Sequence, residues 1–409
     1  MTAVAAGKPR LGRDFARLWT ANAVSNLGDG VTMVAGPLLV ASISDEPAAV
    51  AAAALAPQLP WLLFALVSGA LVDRLDRRRL IVGVNLARGA VLAALAVAVV
   101  TGTATVPVVC LAFFLTGVGE TLADTASGAL LPSVVSAEQL ERANSRLFAT
   151  FVVGNQFAAK PLGAYLFTVG AALPFTVDAA SFGLAALLVA LLRWRPVPPP
   201  VDAAPAGERR SLRADIAAGV RALWSVPVLR ALAGCIAVMN VAFCAAFAVF
   251  VLYARQRLGL GEVGYGLLLT ASAAGGLAGT ALATRLRARF GTPNLLRAGL
   301  LIEVGLQVVL ATTRQPWVAG AALAVWGVHA MVWGVLVVSL RQRLVPDRLR
   351  GRVNSVYALA DLGGAAIGTA LGGVLAQTTG LVTAPFWAAA GVLTVLTAAV
   401  WRRLGATSG

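Results

Sequence analysis

RWRPVPPPVDAAPAGERRSLRAD, running from Arg193 to Asp215, is the stretch whose reading decides the fold. Its prolines and charges are incompatible with a bilayer interior, and they read as a solvated connector. The sequence on either side is of the opposite kind. Of 409 residues, 59% are hydrophobic and only 12% charged, with a mean hydropathy of +0.82. A soluble domain carries roughly 45–50% apolar and about 25% charged residues. The composition therefore excludes a soluble enzyme. Because apolar stretches recur along the whole chain, a soluble domain with one anchor is excluded too. The chain divides into residues 1–192, a linker at 193–227, and residues 228–409.

Working outward from the linker, charged and turn residues bound spans near 17–41, 48–72, 80–101, 105–130, 144–168 and 173–192. On the other side they bound spans near 228–253, 263–284, 295–313, 317–340, 354–377 and 383–401. Each is long enough to cross a hydrocarbon core about 30 Å thick. They are numbered span 1 to span 12 below. The expected fold is all-α, with two six-helix bundles in the membrane.

The formal charge is +15. With the N-terminus placed in the cytoplasm, 28 of the 33 Lys and Arg fall in loops on that side or at the termini. Arg255, Arg257 and Arg314 fall outside, and Arg88 and Lys160 fall within spans. This asymmetry places both termini in the cytoplasm. The excess of Arg over Lys, 31 to 2, points to a high-G+C bacterial genome, and so to a bacterial cytoplasmic membrane. It also accounts for the basic charge without nucleic acid, for which no basic face is left over. Cys110, Cys235 and Cys244 have neither paired nor metal-ligand spacing and read as small core residues.

A shift of 210 residues superposes the halves. Gly69 falls on Gly279, and Arg77 and Arg79 fall on Arg287 and Arg289. Arg142, Asn144 and Ser145 fall on Arg352, Asn354 and Ser355, and Gly154 and Gly163 fall on Gly364 and Gly373. Six spans per half is an even number, so the halves share one orientation, and two bundles rocking about a central site are expected.

Between spans 2 and 3, Gly69-Ala-Leu-Val-Asp73-Arg74-Leu-Asp76-Arg77-Arg78-Arg79 resembles the G-x-L-x-D-R-x-G-R-R signature of the major facilitator superfamily, with Asp76 in place of the second glycine. The loop Val345-Pro346-Asp347-Arg348-Leu-Arg350-Gly351-Arg352-Val-Asn354-Ser355 resembles the macrolide-efflux and enterobactin-exporter-like branch. So does Leu131-Pro132 with Leu140-Glu-Arg-Ala-Asn144-Ser. The resemblance covers nearly the whole chain. It implies a twelve-span, proton-driven exporter of small amphiphilic molecules, with spans 1, 4, 7 and 10 lining a central cavity. Two departures stand out. Span 4 lacks the Arg-x-x-Gln-Gly signature of many drug antiporters, and in span 5 their Gly-Pro-x-x-Gly-Gly appears as Ala159-Lys160-Pro161-Leu162-Gly163-Ala164.

Ionisable groups inside a span are costly unless paired or wetted, so each is a functional candidate. Asn22, Asn26, Asp29 and Met33 form one helical stripe on span 1, and Thr116, Glu120, Asp124 and Ser127 form another on span 4. Asn240, Cys244 and Phe247 form a weaker stripe on span 7, and Trp326, His329 and Trp333 an aromatic one on span 10. Asp29 and Glu120 lie about 15–18 Å from the cytoplasmic ends, near the midplane, with Asp124 closer to the cytoplasm. These three are the expected proton or cation carriers. The alternative is that the acids pair permanently with Arg88 or Lys160 and tie helices together. Asn22, Asn26, Met33, Phe113, Asn240, Phe247, Trp326, His329 and Trp333 are the expected substrate contacts, with packing the alternative for His329. Lys160 either attracts an anionic substrate group or is structural.

Gly69, Asp73, Arg74, Arg77, Arg78 and Arg352 form the expected cytoplasmic gate, Asp73 meeting the first turn of span 11 and the arginines engaging nearby acids or carbonyls. The rival for these residues is plain topogenic charge. Gly154, Gly163, Gly364, Gly368 and Gly372 are expected to permit close helix approach.

Several motifs fail. Gly259-Leu-Gly261-Glu-Val-Gly264 has the dinucleotide pattern but no strand before it, and neither Lys8 nor Lys160 has the glycine spacing of a phosphate-binding loop. With one histidine there is no metalloprotease motif, so neither metal nor cofactor is implied, and an enzyme has little support. The expectation is a monomeric antiporter working on a small molecule, protons and the surrounding lipid. A dedicated siderophore or metabolite exporter is the rival within transport. A lipid-moving or signalling membrane protein is the rival outside it.

Overall fold

The computed structural model describes residues 11–72, 75–193, 220–221, 223–345 and 347–405, and all twelve expected spans are helical in it. Span 1 is Arg13–Ile43, span 3 Arg77–Val100, span 4 Val106–Val134 and span 6 Leu173–Ala190. Span 8 is Glu262–Phe290, span 9 Thr292–Thr312, span 10 Pro316–Leu344, span 11 Asp347–Thr379 and span 12 Ala384–Gly405. Three spans are interrupted. Span 2 is Pro47–Leu55 and Leu59–Val72, separated where Pro57 withdraws a backbone donor from the ladder. Span 7 is Pro227–Phe247 followed by Phe250–Gln256.

Span 5 is Leu140–Phe151, a π-helical turn at Val152–Ala158, and Ala159–Val169. The wide turn swings Asn155 toward span 1, where its amide donates to the Asn26 carbonyl at 2.8 Å, and Gly30 leaves room for the Asn155 backbone. Asp76, which stands where the signature has glycine, caps span 3 by accepting the Arg79 backbone N–H at 2.9 Å.

The small residues of span 11 behave as expected. Gly364, Gly368 and Gly372 lie directly on the backbone of Ala237, Val241 and Ala245 of span 7, and Gly163 lies on Val31 of span 1. Gly154 does not: it sits in the π turn with open space beside it. The 210-residue offset also slips here. Val31 and Val241 differ by 210, yet their glycine partners 163 and 368 differ by 205.

The face carrying the start of span 1 and the end of span 6 is called the linker face, and the opposite one the far face. At the far face one apolar cluster runs through both halves, from Val34, Leu38, Leu92 and Phe175 to Phe250, Tyr253, Leu310 and Phe386. Arg255 donates to the Ala41 carbonyl at 2.6 Å across the seam, where span 1 ends and its carbonyls lack helical partners. Gln58 reaches Thr369 at 3.4 Å, and Gly373 packs on Ala51. Toward the linker face the clusters are separate, one built on Phe15, Leu18 and Leu130, the other on Leu232, Leu296 and Leu393. Among the described residues, the halves are joined at the far face and parted at the linker face.

Candidate functional site in two half-bundles

The N-terminal half holds a charge cluster. Arg88 of span 3 enters beside Gly119 of span 4, where a Cβ would collide with its aliphatic stem, and its guanidinium lies 4.1 Å above the Phe182 ring. The arginine is 6% exposed. Its Nη2 donates to Asp29 Oδ1 at 2.7 Å and lies 4.0 Å from Glu120 Oε2. The two acids are more open, at 24% and 38%. Asn22, Asn26, Asp29, Arg88 and Asp124 line one crevice of about 20 Å³, room for about one water. Asp29, Glu120 and Asp124 are thus brought together. Asp29 is also paired with Arg88, as the alternative reading expects. Asn22 and Asn26 share the crevice, but each amide donates to a carbonyl one turn back, at Leu18 and Asn22. Met33 is exposed.

Asp178 of span 6 completes the cluster. It is buried against Gly28 and accepts hydrogen bonds from Thr32 Oγ1 at 2.6 Å and Ser181 Oγ at 3.0 Å. Four acids are thus grouped about one arginine: Asp29 and Glu120 beside its guanidinium, Asp124 in the same crevice, and Asp178 behind Gly28, one turn from the Phe182 ring on which Arg88 lies.

The C-terminal half holds a different cluster. Trp326 and His329 of span 10 converge on one oxygen of Glu303 in span 9: Trp326 Nε1–H donates to Oε1 at 2.8 Å, and His329 Nε2 lies 3.4 Å from it. Both Glu303 and His329 are under 5% exposed. Gly299 makes room for the imidazole, and Trp333 meets it edge-on at 5.7 Å. Three expected contacts are corrected here. His329 and Trp333 are buried against span 9, because the stripe from 326 to 333, though one face, turns toward that neighbour. Phe113 is likewise core, packed against Gly36 and 6.4 Å from Phe175. Trp326 lies at the stripe's edge, and its ring stacks on Phe243 of span 7 at 4.1 Å and 6°. Phe243 stacks in turn on Phe247 at 4.2 Å. Asn240 is engaged by Asp361 of span 11, to which its amide donates through both the side chain and the backbone carbonyl.

Lys160 is buried in span 5, with no ion pair among the described residues. At the expected gate, Arg77 donates to the Ala129 carbonyl at 3.0 Å, and Arg78 donates to the Val189 and Ala190 carbonyls, binding the ends of spans 4 and 6. Asp73 and Arg74 lie outside the described residues, as do the surroundings of Gly69 and Arg352.

Arg88 enters the reading of the sequence only as a partner, and Asp178, Glu303, Gln307, Asp361 and Phe243 are absent from it. The rule that marks ionisable groups in spans also marks Asp178, Glu303 and Asp361. The polar and aromatic stripes fall on spans 1, 4, 7 and 10, whereas these three acids lie on spans 6, 9 and 11.

Two packed half-bundles, each with buried ionisable groups, define a multi-pass membrane transporter of the major facilitator fold. The chain belongs to the transmembrane secretion effector family, whose model it matches over residues 8–408, and with it to the efflux branch of that superfamily. It is similar to the multidrug efflux pump Tap of Mycolicibacterium fortuitum, 30% identical over 371 residues that cover 87% of each chain. It is also similar to the enterobactin exporter EntS of Shigella boydii, 29% identical over 329 residues, 78% of this chain and 75% of that one. A bacterial homologue of the iron transporter ferroportin, in its inward-facing state, superposes with a TM-score of 0.75 at 18% identity, over 97% of this chain and 100% of that one. The protein is an efflux transporter, not an enzyme.

Proposed function

We propose that the protein exports small amphiphilic compounds across the bacterial inner membrane in exchange for protons, by alternating access, with both termini and the linker in the cytoplasm. One observation carries the reading: Asp29 and Glu120 share the single cation of Arg88 while both remain partly exposed, at 24% and 38%. Four acids around one arginine leave a surplus of negative charge that a low-dielectric interior holds poorly. Protons or a cationic substrate group neutralise that surplus, and competition between the two for the same acids is antiport. The kinship with Tap supports a broad substrate range. The parted linker face supports a site loaded from the cytoplasm, and Phe243, Phe247 and Trp326 supply stacking surface for an aromatic or apolar substrate.

The test uses inside-out vesicles with an acidic lumen, a quenched dye reporting lumenal pH, and additions of ethidium, erythromycin or a catecholate siderophore. Proton loss on adding one compound, abolished by Asp29→Asn, is the expected result. Absence of proton movement with every compound that binds would remove the antiport reading and advance a uniporter or lipid-moving one. A second reading, export of a dedicated anionic metabolite, is favoured by Lys160 and by the kinship with EntS. In the same assay it is marked by siderophore-dependent flux that Lys160→Ala abolishes.

A further inference from the structure

We propose that Glu303 is a second protonation site, in the half opposite Asp29, and that it acts on the aromatic substrate surface through Trp326. The inference rests on the transport reading above. Trp326 and His329 both crowd Oε1, whereas the buried Oε2 has no hydrogen-bond partner. One turn further along span 9, on the same face, the buried Gln307 has both amide atoms without partners. A carboxylate serving structure alone would be held by such a neighbour in the resting arrangement, since a bare buried charge is costly, and here that pairing is not made.

The set is instead adapted to two states. A charged Glu303 takes an N–H from Gln307 at Oε2. A proton on Oε2 turns that oxygen into a donor, and the Gln307 carbonyl, after a rotation of the amide, becomes its acceptor. The change reaches Trp326 because a hydrogen bond to a carboxylate is roughly twice as strong as one to a neutral carboxyl oxygen. Protonation therefore loosens the indole N–H, and the same indole ring is stacked on Phe243.

The charged and titratable groups around Glu303 are few. His329 faces it from span 10. The charges of span 8 are Glu262 at one end and Arg285, Arg287 and Arg289 at the other, with Tyr265 near the far face. Span 12 carries charge only at Arg402 and Arg403, at the linker end. Glu303 lies mid-span.

The experiment reads tryptophan emission of the purified full chain in detergent between pH 5 and 9. Wild type, Glu303→Gln, His329→Asn and Asp29→Asn are each measured with and without Trp326→Phe, so that the difference isolates Trp326. A one-proton step in that difference is expected in wild type, His329→Asn and Asp29→Asn, and no step in Glu303→Gln. A step that survives Glu303→Gln, or that vanishes with His329→Asn, overturns the proposal. Thermal unfolding confirms that each variant is folded. Where Glu303→Gln is not, Glu303→Asp keeps the charge but withdraws it from the indole by one methylene; the step is then expected to fall by more than half, and an unchanged step overturns the proposal. No transport is measured, so failure of the antiport reading leaves this test intact, and the reverse holds as well.

Discussion

The two half-bundles share a fold and differ in chemistry at the same depth. Shifted by 210 residues, Asp29, Arg88 and Glu120 meet Met239, Ala298 and Ala330, while Glu303 and His329 meet Ala93 and Gly119. In the N-terminal half a cation enters from span 3 and faces a glycine on span 4, Arg88 against Gly119. In the C-terminal half the ring enters from span 10, the repeat counterpart of span 4, and faces a glycine on span 9, His329 against Gly299. Each half therefore fills the gap between one helix pair with a large polar side chain, but from opposite sides. The N-terminal version is charged and opens onto a crevice; the C-terminal one is sealed. Duplication preserved the space, and the occupants diverged.

The sharpest way to break this comparison is Arg88→Ala. Removing one partner of a buried ion pair costs about 3–5 kcal/mol, here with three further acids left behind, and vesicle antiport should vanish with it. His329→Ala is expected to destabilise less in the same thermal unfolding measurement, because Glu303 keeps its Trp326 bond. Equal losses would mean that the C-terminal cluster is as strongly charged as the other.

The glycines give the next largest effect. Gly119→Ala presses on the flexible stem of Arg88, which lies 2.6 Å from the added Cβ position, whereas Gly299→Ala presses on a rigid imidazole held by Trp333. Overpacking costs about 1–3 kcal/mol. Gly299→Ala should fall at the top of that range and Gly119→Ala near the bottom, and the reversed order of melting temperatures would show that Arg88 is the more tightly held of the two.

Arg255→Ala tests the seam rather than either half. Its hydrogen bond to the Ala41 carbonyl is charged, and such bonds are worth about 1.5–3 kcal/mol. Deleting it should raise the far-open population about tenfold or more, read as longer spin-label distances across the far face. Unchanged distances would leave the apolar cluster as the sole closure. Phe243→Leu is the mildest change. Loss of one aromatic pair, worth about 0.5–1.5 kcal/mol, should weaken ethidium binding several-fold by equilibrium titration, while proton loss from vesicles at saturating ethidium still depends on Asp29.

Much of the fold was legible because a bilayer leaves few alternatives: apolar length reports a span, and the proline-rich break reports the division. The breaks inside spans were harder. Pro57 is visible, but the π turn at Val152–Ala158 has no compositional signature, since it depends on where Asn155 finds an acceptor. Gly259 follows the helical end of span 7 with φ of 65°, a left-handed conformation that suits glycine just past a helix. At the site, periodicity put Asp29 and Asn26 on one face, and both line the crevice; it put Trp326 and His329 on another, and both meet Glu303. Periodicity alone does not say which neighbour a face meets, and so the span 10 stripe was assigned to substrate when most of it meets span 9.

The apolar cluster that unites the halves at the far face sets a thermal property of the cycle. Opening that face brings side chains such as Val34, Leu38 and Phe250 to water, and exposing apolar surface raises heat capacity. The balance between the two access states is therefore expected to bend with temperature rather than follow a straight van't Hoff line. Efflux rates limited by this step would carry the same curvature.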